Sequence, residues 1–321
     1  MRHDQRLGRE PGLPKTGQYS GTLGRVDNCQ VASSLHLASN DSSACIGFRL
    51  YLPEDWASDI KRRRSVGVPD EVVFERKWEL ALGLLDEALA ANLPPRLVLA
   101  DAGYGDSTEF RDGLVSRKCP YLVGLSAQHS VWPPGSEPKP PRRNKGPGRP
   151  RTRHVDGKKE PVGLAELAEG LEFRRYQVPG ADGRKKSGRF AFARVRLAER
   201  RTKGRPPSEE VWIVVEHREA KKEYRFHVSN LPKDTKHAEL VRLVKLRWRV
   251  ERDYQELKGE IGLDHFEGRT WRGFHHHAAL CAAAHCFLAL SRRLFPPEQN
   301  ATVDAAVRAK TTPVPAAQTP R

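Results

Sequence analysis

No apolar run in this 321-residue chain reaches the roughly 18 residues that a membrane-spanning helix needs, which excludes a helical transmembrane protein. Met1 to Gln30 lacks the charged-then-apolar pattern of a secretory signal. The five cysteines, Cys29, Cys45, Cys119, Cys281 and Cys286, include no C-x-x-C pair, which argues against a disulfide framework. Odd in number and scattered, they read as reduced, buried thiols of a cytoplasmic protein. Acid is also short: 40 Asp and Glu face 56 Lys and Arg, for a formal net charge of +16. Such a field attracts polyanions and makes nucleic acid the leading partner class, although ribosomal and membrane-surface proteins share the bias. At 38% hydrophobic residues the chain can bury one large core or two modest ones.

Residues 1–24 are polar, rich in Gly, Arg and Pro, and show no strand or helix period, so a disordered or truncated remnant is expected there. From Asp27 the run DNCQVASSLHLASN and the following GFRLYLPEDW read as two strands ending at a proline turn. Ser58 to Gly67 is basic. Val73 to Ala91 has the apolar spacing of a helix, and Pro94-Pro95 breaks it before a compact strand, Arg96 to Ala100. Ser107 to Arg117 suits a helix and Tyr121 to Leu125 a buried strand. Residues 25–130 thus form the first part of an α/β domain, and 131–162 a flexible basic loop rich in Pro and Gly. In 163–234 the alternation in FAFARVRL, VWIVVEHR and YRFHVSN predicts antiparallel strands. Residues 235–295 hold one long helix, Thr235 to about Gly262, and a second, Ala-rich one, Trp271 to Phe295. Residues 296–321 are expected to be a disordered tail.

Two carboxylates stand out. Asp101 follows the apolar strand RLVLA within ADAGYGD, where two glycines permit a sharp turn and leave the carboxylate at the strand's C-terminal end, the end that faces the ligand crevice in α/β sheets. The plainer reading is an Asp that only caps the next turn. Glu251 lies in LVKLRWRVERDYQELKGEIG, where Val244, Arg247, Glu251, Tyr254 and Lys258 recur at spacings of three and four and share one stripe. A solvated face of ion pairs is the plainer alternative. Leu240, Leu243, Val250 and Leu257 supply a separate core-facing set.

The pattern R-W-x-x-E-x6-K made by Arg247, Trp248, Glu251 and Lys258 resembles the Y-x2-R-x3-E-x6-K signature of bacterial insertion-sequence DDE transposases, with Val244 where that signature has tyrosine. ADAGYG resembles the second-aspartate motif of one branch of that family, and DHFEGRTWRGFHHH the segment after its signature helix. The similarity runs from about Gln18 to Phe295. It implies an α/β, RNase H-like mixed sheet with flanking helices and a strand-rich insertion before the glutamate helix. Two aspartates and a glutamate would hold two divalent ions, Mg²⁺ or Mn²⁺ given hard oxygen ligands, one activating a nucleophile and the other stabilising the leaving oxygen. Asp101 would be the second acid and Glu251 the third, both binding metal. Arg247, Trp248 and Lys258 would contact double-stranded DNA, at the transposon ends or target, in a possible homodimeric synaptic complex.

The first aspartate is where the sequence departs from that pattern. Gly12-Leu13-Pro14-Lys15 resembles the turn that follows it, but Arg9 falls where the aspartate belongs, beside Glu10; Asp27 is the next acid. The resemblance therefore implies a truncated or decayed copy. The competing reading is a DNA-binding remnant or inhibitor of an intact transposase; a third is a basic RNA-binding protein, which would not need Asp101 and Glu251 to converge. Gly148-Arg149-Pro150 and Gly204-Arg205-Pro206 echo minor-groove hooks but suit non-specific phosphate binding better. His275, His276, His277 and His285 suit helix packing or DNA-backbone contact rather than a metal, because adjacent helical residues point different ways.

Overall fold

The computed structural model describes residues 17–20, 25–28, 30–139, 154–157, 159–179, 185–198, 208–268 and 270–295. It opens with an antiparallel pair, β1 (Gly17–Ser20) and β2 (Arg25–Asn28), so the part of 1–24 expected to lack a strand contains one. A second hairpin follows, β3 (Ala32–Ala38) with β4 (Ser43–Leu50), then the short helices α1 (Glu54–Ser58) and α2 (Ile60–Ser65). Helix α3 (Lys77–Ala90) starts four residues after the predicted Val73, its first turn held by Glu79 accepting from the Arg76 backbone N–H at 2.6 Å.

The main sheet is mixed. Strand β5 (Val98–Ala100) runs parallel to β6 (Tyr121–Leu125), joined through α4 (Ala102–Gly105) and α5 (Thr108–Ser116). After β7 (Ser130–Trp132), β8 (Val162–Gly163) and α6 (Leu164–Glu169), the strands β9 (Arg174–Pro179), β10 (Lys185–Leu197), β11 (Val211–Arg218) and β12 (Glu223–Ser229) add antiparallel partners. The order is β5-β6-β12-β11-β10-β7-β8, with β9 also pairing β10. The predicted loop at 131–162 is thus strand at both ends, and Lys139 bridges to Val155 inside it. Its run 140–153 lies outside the described residues, as do residues 1–16, the GRP at 204–206 and the tail 296–321.

Both faces of this sheet are covered, which is why VWIVV in β11 is apolar at every position rather than alternating. Val211, Ile213 and Val215 pack with Ala191, Val195, Phe110 and Leu114 on one face; Trp212 and Val214 pack on the other with Phe190 and with Leu240, Val241 and Val244 of α7 (His237–Leu246). A separate core joins the β3–β4 hairpin to α8 (Trp248–Gly259) and α9 (Trp271–Leu294) around Trp56, Leu257 and Phe274. The single helix predicted over Thr235–Gly262 is two, parted at Arg247. The hairpin tip braces that break: Arg242 on α7 donates to the Asn40 side chain at 2.5 Å, and Arg249 on α8 donates to the Asn40 carbonyl.

Candidate active site

Asp101 stands directly after β5, at the N-terminus of α4, as its motif predicts. It makes no side-chain capping bond, and its Oδ1 is enclosed without a hydrogen-bond partner, which leaves the capping reading without support. A buried carboxylate oxygen with no donor is costly unless something else satisfies it. Neither motif glycine has positive φ, and Gly105 serves close approach to the neighbouring strand. A Cβ on Gly105 would sit 1.9 Å from the carbonyl oxygen of Gly124 in β6, and one on Gly124 would sit 2.7 Å from the Ala102 nitrogen. The two glycines let α4 lie flat against β6 and so determine where Asp101 ends. Asp106, at the far end of the motif, is structural: its Oδ1 accepts from the Ser126 N–H at 2.8 Å and lies 3.1 Å from His129 Nε2. Burial holds the His129 imidazole below its ordinary range.

Glu251 lies in the first turn of α8 with its side chain 57% exposed, and its Oε1 is 3.3 Å from Arg247 Nη1. The predicted five-residue stripe is corrected by the structure. Val244 and Tyr254 are buried in two different cores, because the break at Arg247 separates their helices and the β3–β4 hairpin covers α8 on the Tyr254 side. Arg247, Glu251 and Lys258 remain on the accessible flank. Trp248 is half-buried, with the Arg249 guanidinium 6.0 Å from its ring centroid.

Strand β3 links the two acids' supports. Tyr104, three residues beyond Asp101, donates to Ser33 Oγ at 3.1 Å; Tyr254, three beyond Glu251, donates to Ser34 Oγ at 2.9 Å. Adjacent serines on one strand therefore tie the ADAGYG segment and the glutamate helix to a common element. Ser34 continues inward: its Oγ is 3.0 Å from His36 Nε2, whose Nδ1 is 2.7 Å from Asp253 Oδ2, and Ser43 donates to Asp253 Oδ1 at 2.5 Å. Sequence reasoning had named Tyr254, in the charged stripe, but missed Ser33, Ser34, His36, Ser43 and Asp253. Their only signal was polarity, Ser and His in a strand and Asp on the face of α8 that also carries Tyr254 and Leu257.

Among the described residues no group of three or more His, Cys, Asp or Glu side chains is placed to share a metal ion. The histidines of α9 are structural: His275 Nδ1 bonds the Trp271 carbonyl at 3.0 Å, His277 Nε2 bonds the Gly262 carbonyl at 3.1 Å, and His285 is buried against Asp253 and Glu256. His276 is exposed. Cys45, Cys119 and Cys281 are free and buried, as expected, and Cys286 is half-buried. No helix of the described residues is long and apolar enough to cross a membrane.

A mixed α/β sheet with flanking helices and an acid at the end of its parallel strand defines an RNase H-like nuclease fold. The family model described as DDE superfamily endonuclease matches residues 12–189, more than half of the chain, and the chain belongs to that family. The match includes Asp101 and ends before Glu251. No curated protein matches the chain.

Proposed function

We propose that this chain is the catalytic region of a bacterial insertion-sequence transposase, acting on double-stranded DNA at transposon ends, in the cytoplasm, with strand cleavage weakened by loss of the first aspartate. The observation that carries the reading is Asp101: a carboxylate at the end of a parallel strand, within the matched region, whose enclosed oxygen has no partner. The residues fit a divalent cation. Asp101 offers an unsatisfied hard oxygen, and Glu251 offers a carboxylate whose exposed ion pair with Arg247 is worth little and is readily exchanged. Asp101 and Glu251 would hold the ions, which when bound supply an activated nucleophile and stabilisation of the leaving oxygen.

The chain's own groups do the rest. The Gly105–Gly124 contact and the Tyr104–Ser33 bond orient Asp101; the Tyr254–Ser34 bond and Leu257 orient α8. Arg247 and Lys258 bind phosphates along the accessible flank of α8, and Trp248 stacks against the strand they hold. In a synaptic complex two copies would each hold one transposon end. With Arg9 standing where the first aspartate belongs, two of three acids remain, enough to hold an ion weakly.

A labelled duplex carrying transposon ends tests this. Little cleavage is expected with Mg²⁺ and trace nicking with Mn²⁺, lost in Asp101→Ala and in Glu251→Ala. Cleavage surviving both substitutions would overturn the mechanism. The second reading, a non-catalytic DNA-binding remnant, is favoured by the lack of a three-ligand cluster among the described residues, and binding with no Mn²⁺-dependent nicking would select it.

A further inference from the structure

Helix α9 is apolar on both sides. Its inner face, Phe274, Ala278, Cys281, Ala282 and His285, is buried against β4 and the second core. On the opposite side Leu280, Phe287, Leu290 and Leu294 are 60%, 69%, 56% and 61% exposed. Leu280, Phe287 and Leu294 recur every seven residues, with Ala283 and Leu290 at the intermediate positions, which is the a/d spacing of a coiled-coil seam. A helix apolar all round is one packed from both sides.

We propose that this outer seam is a self-association surface, on which α9 of a second copy of this chain packs. Charge is the first argument. The chain carries +16, so most of its surface repels a second copy, yet residues 278–291, AALCAAAHCFLALS, contain no Lys, Arg, Asp or Glu. Of the positions flanking the seam, Ala279, Ala284, Cys286 and Ser291 are small and uncharged, and only Arg293 at its C-terminal end carries charge, so two such helices approach closely along 279–291 without like-charge contact. Size is the second. Four or five side chains this exposed present on the order of 500 Å² per copy, and twice that meets the roughly 1,000 Å² expected of a specific interface. The seam gives the pairing of the proposed synaptic complex a surface, but it does not depend on DNA, so it is tested without it.

Sedimentation velocity of the full chain over a concentration series, without DNA or metal, is the experiment. A monomer–dimer equilibrium is expected at micromolar concentration, with the dissociation constant raised at least tenfold in Phe287→Glu and in Leu290→Glu. Both side chains are exposed, and an unchanged melting temperature of the variants shows that the fold is intact. Should Phe287→Glu nevertheless unfold, the milder Leu280→Gln is read in its place. A chain that stays monomeric at 100 micromolar, or a dimer that the folded variants leave unweakened, would overturn the proposal. Hydrogen exchange confined to slower rates at 280–294 in the dimer supports it, and protection elsewhere with none at 280–294 refutes it.

Discussion

His36 Nδ1 lies 2.7 Å from Asp253 Oδ2, with both side chains almost wholly buried, two residues along α8 from the exposed Glu251. The pair anchors the inner face of the helix to β3 and thereby sets which way its outer flank looks. Ser43, on β4, holds the other carboxylate oxygen at 2.5 Å. Removing one partner of such a pair strands the other in the core. His36→Ala should therefore cost about 3 kcal/mol of stability, and Asp253→Asn less, because the amide keeps an acceptor for Ser43. Urea unfolding checks this, and a loss in His36→Ala no larger than that of an exposed-residue substitution would remove the anchor.

The Gly105–Gly124 contact makes a contrasting pair of predictions. Gly105→Ala places a Cβ 1.9 Å from a backbone oxygen that no side-chain rotation can move, and should destabilise the chain by about 2–3 kcal/mol or more. Gly83→Ala, inside α3 with no atom beyond its own helix backbone within 4 Å of the new Cβ, should instead stabilise by up to about 1 kcal/mol. Thermal melts of the two variants should move in opposite directions. Equal shifts would mean that α4 does not lie against β6 as described.

Acid should weaken the fold between pH 6.5 and about 4. His227 has an enclosed, unpartnered Nδ1, and burial, offset in part by Glu216, pushes its imidazole down from 6.5 to about 4. The unfolded chain then binds the extra proton across that window, so stability falls as pH falls through it. The difference is on the order of 3 kcal/mol. His129, His275 and His285 are shifted down by burial in the same sense. Asp86 and Glu239, held low by Arg117 and Arg242, add their losses only in the carboxylate range below. His227→Phe should flatten the upper part of the acid limb in denaturant titrations at a series of pH values; an unchanged slope there would show that another group dominates.

Binding to duplex DNA should weaken with salt, and the double variant Arg247→Ala, Lys258→Ala should both bind less tightly and lose about two counterions from the slope. Fluorescence anisotropy over a salt series measures both. An unchanged slope would take the accessible flank of α8 off the DNA surface.

How much of this was legible in the sequence differs from element to element. Local order was: the alternating strands of 163–234, the buried strand Tyr121–Leu125 and the Ala-rich helix of 271–295 follow from periodicities of two and 3.6, which a chain carries in its own residues. The position of Asp101 at a strand end was legible for the same reason, since an apolar run and two glycines bracket it. What the sequence could not carry was anything set by contact at a distance. The break at Arg247, with Arg242 and Arg249 both reaching Asn40 some 200 residues earlier, is braced by a hairpin that no helical periodicity registers. The burial of Tyr254, which moved it from the charged stripe into a core, was decided by β3 and β4.

The composition of this chain, by itself, determined its basic surface, its strand and helix periods and the two carboxylates set in recognisable surroundings. Only the tertiary structure decided what those surroundings do: that Gly105 of ADAGYG packs where a Cβ would strike the Gly124 carbonyl, and that Ser33 and Ser34 tie both acid-bearing elements to one strand. It also decided that the apolar residues of α9 divide into a buried face and an exposed seam. The physical reason is the same in each case. Propensity and pattern act over a few neighbouring residues, whereas desolvation, close approach and polar satisfaction depend on which distant segments the fold brings together.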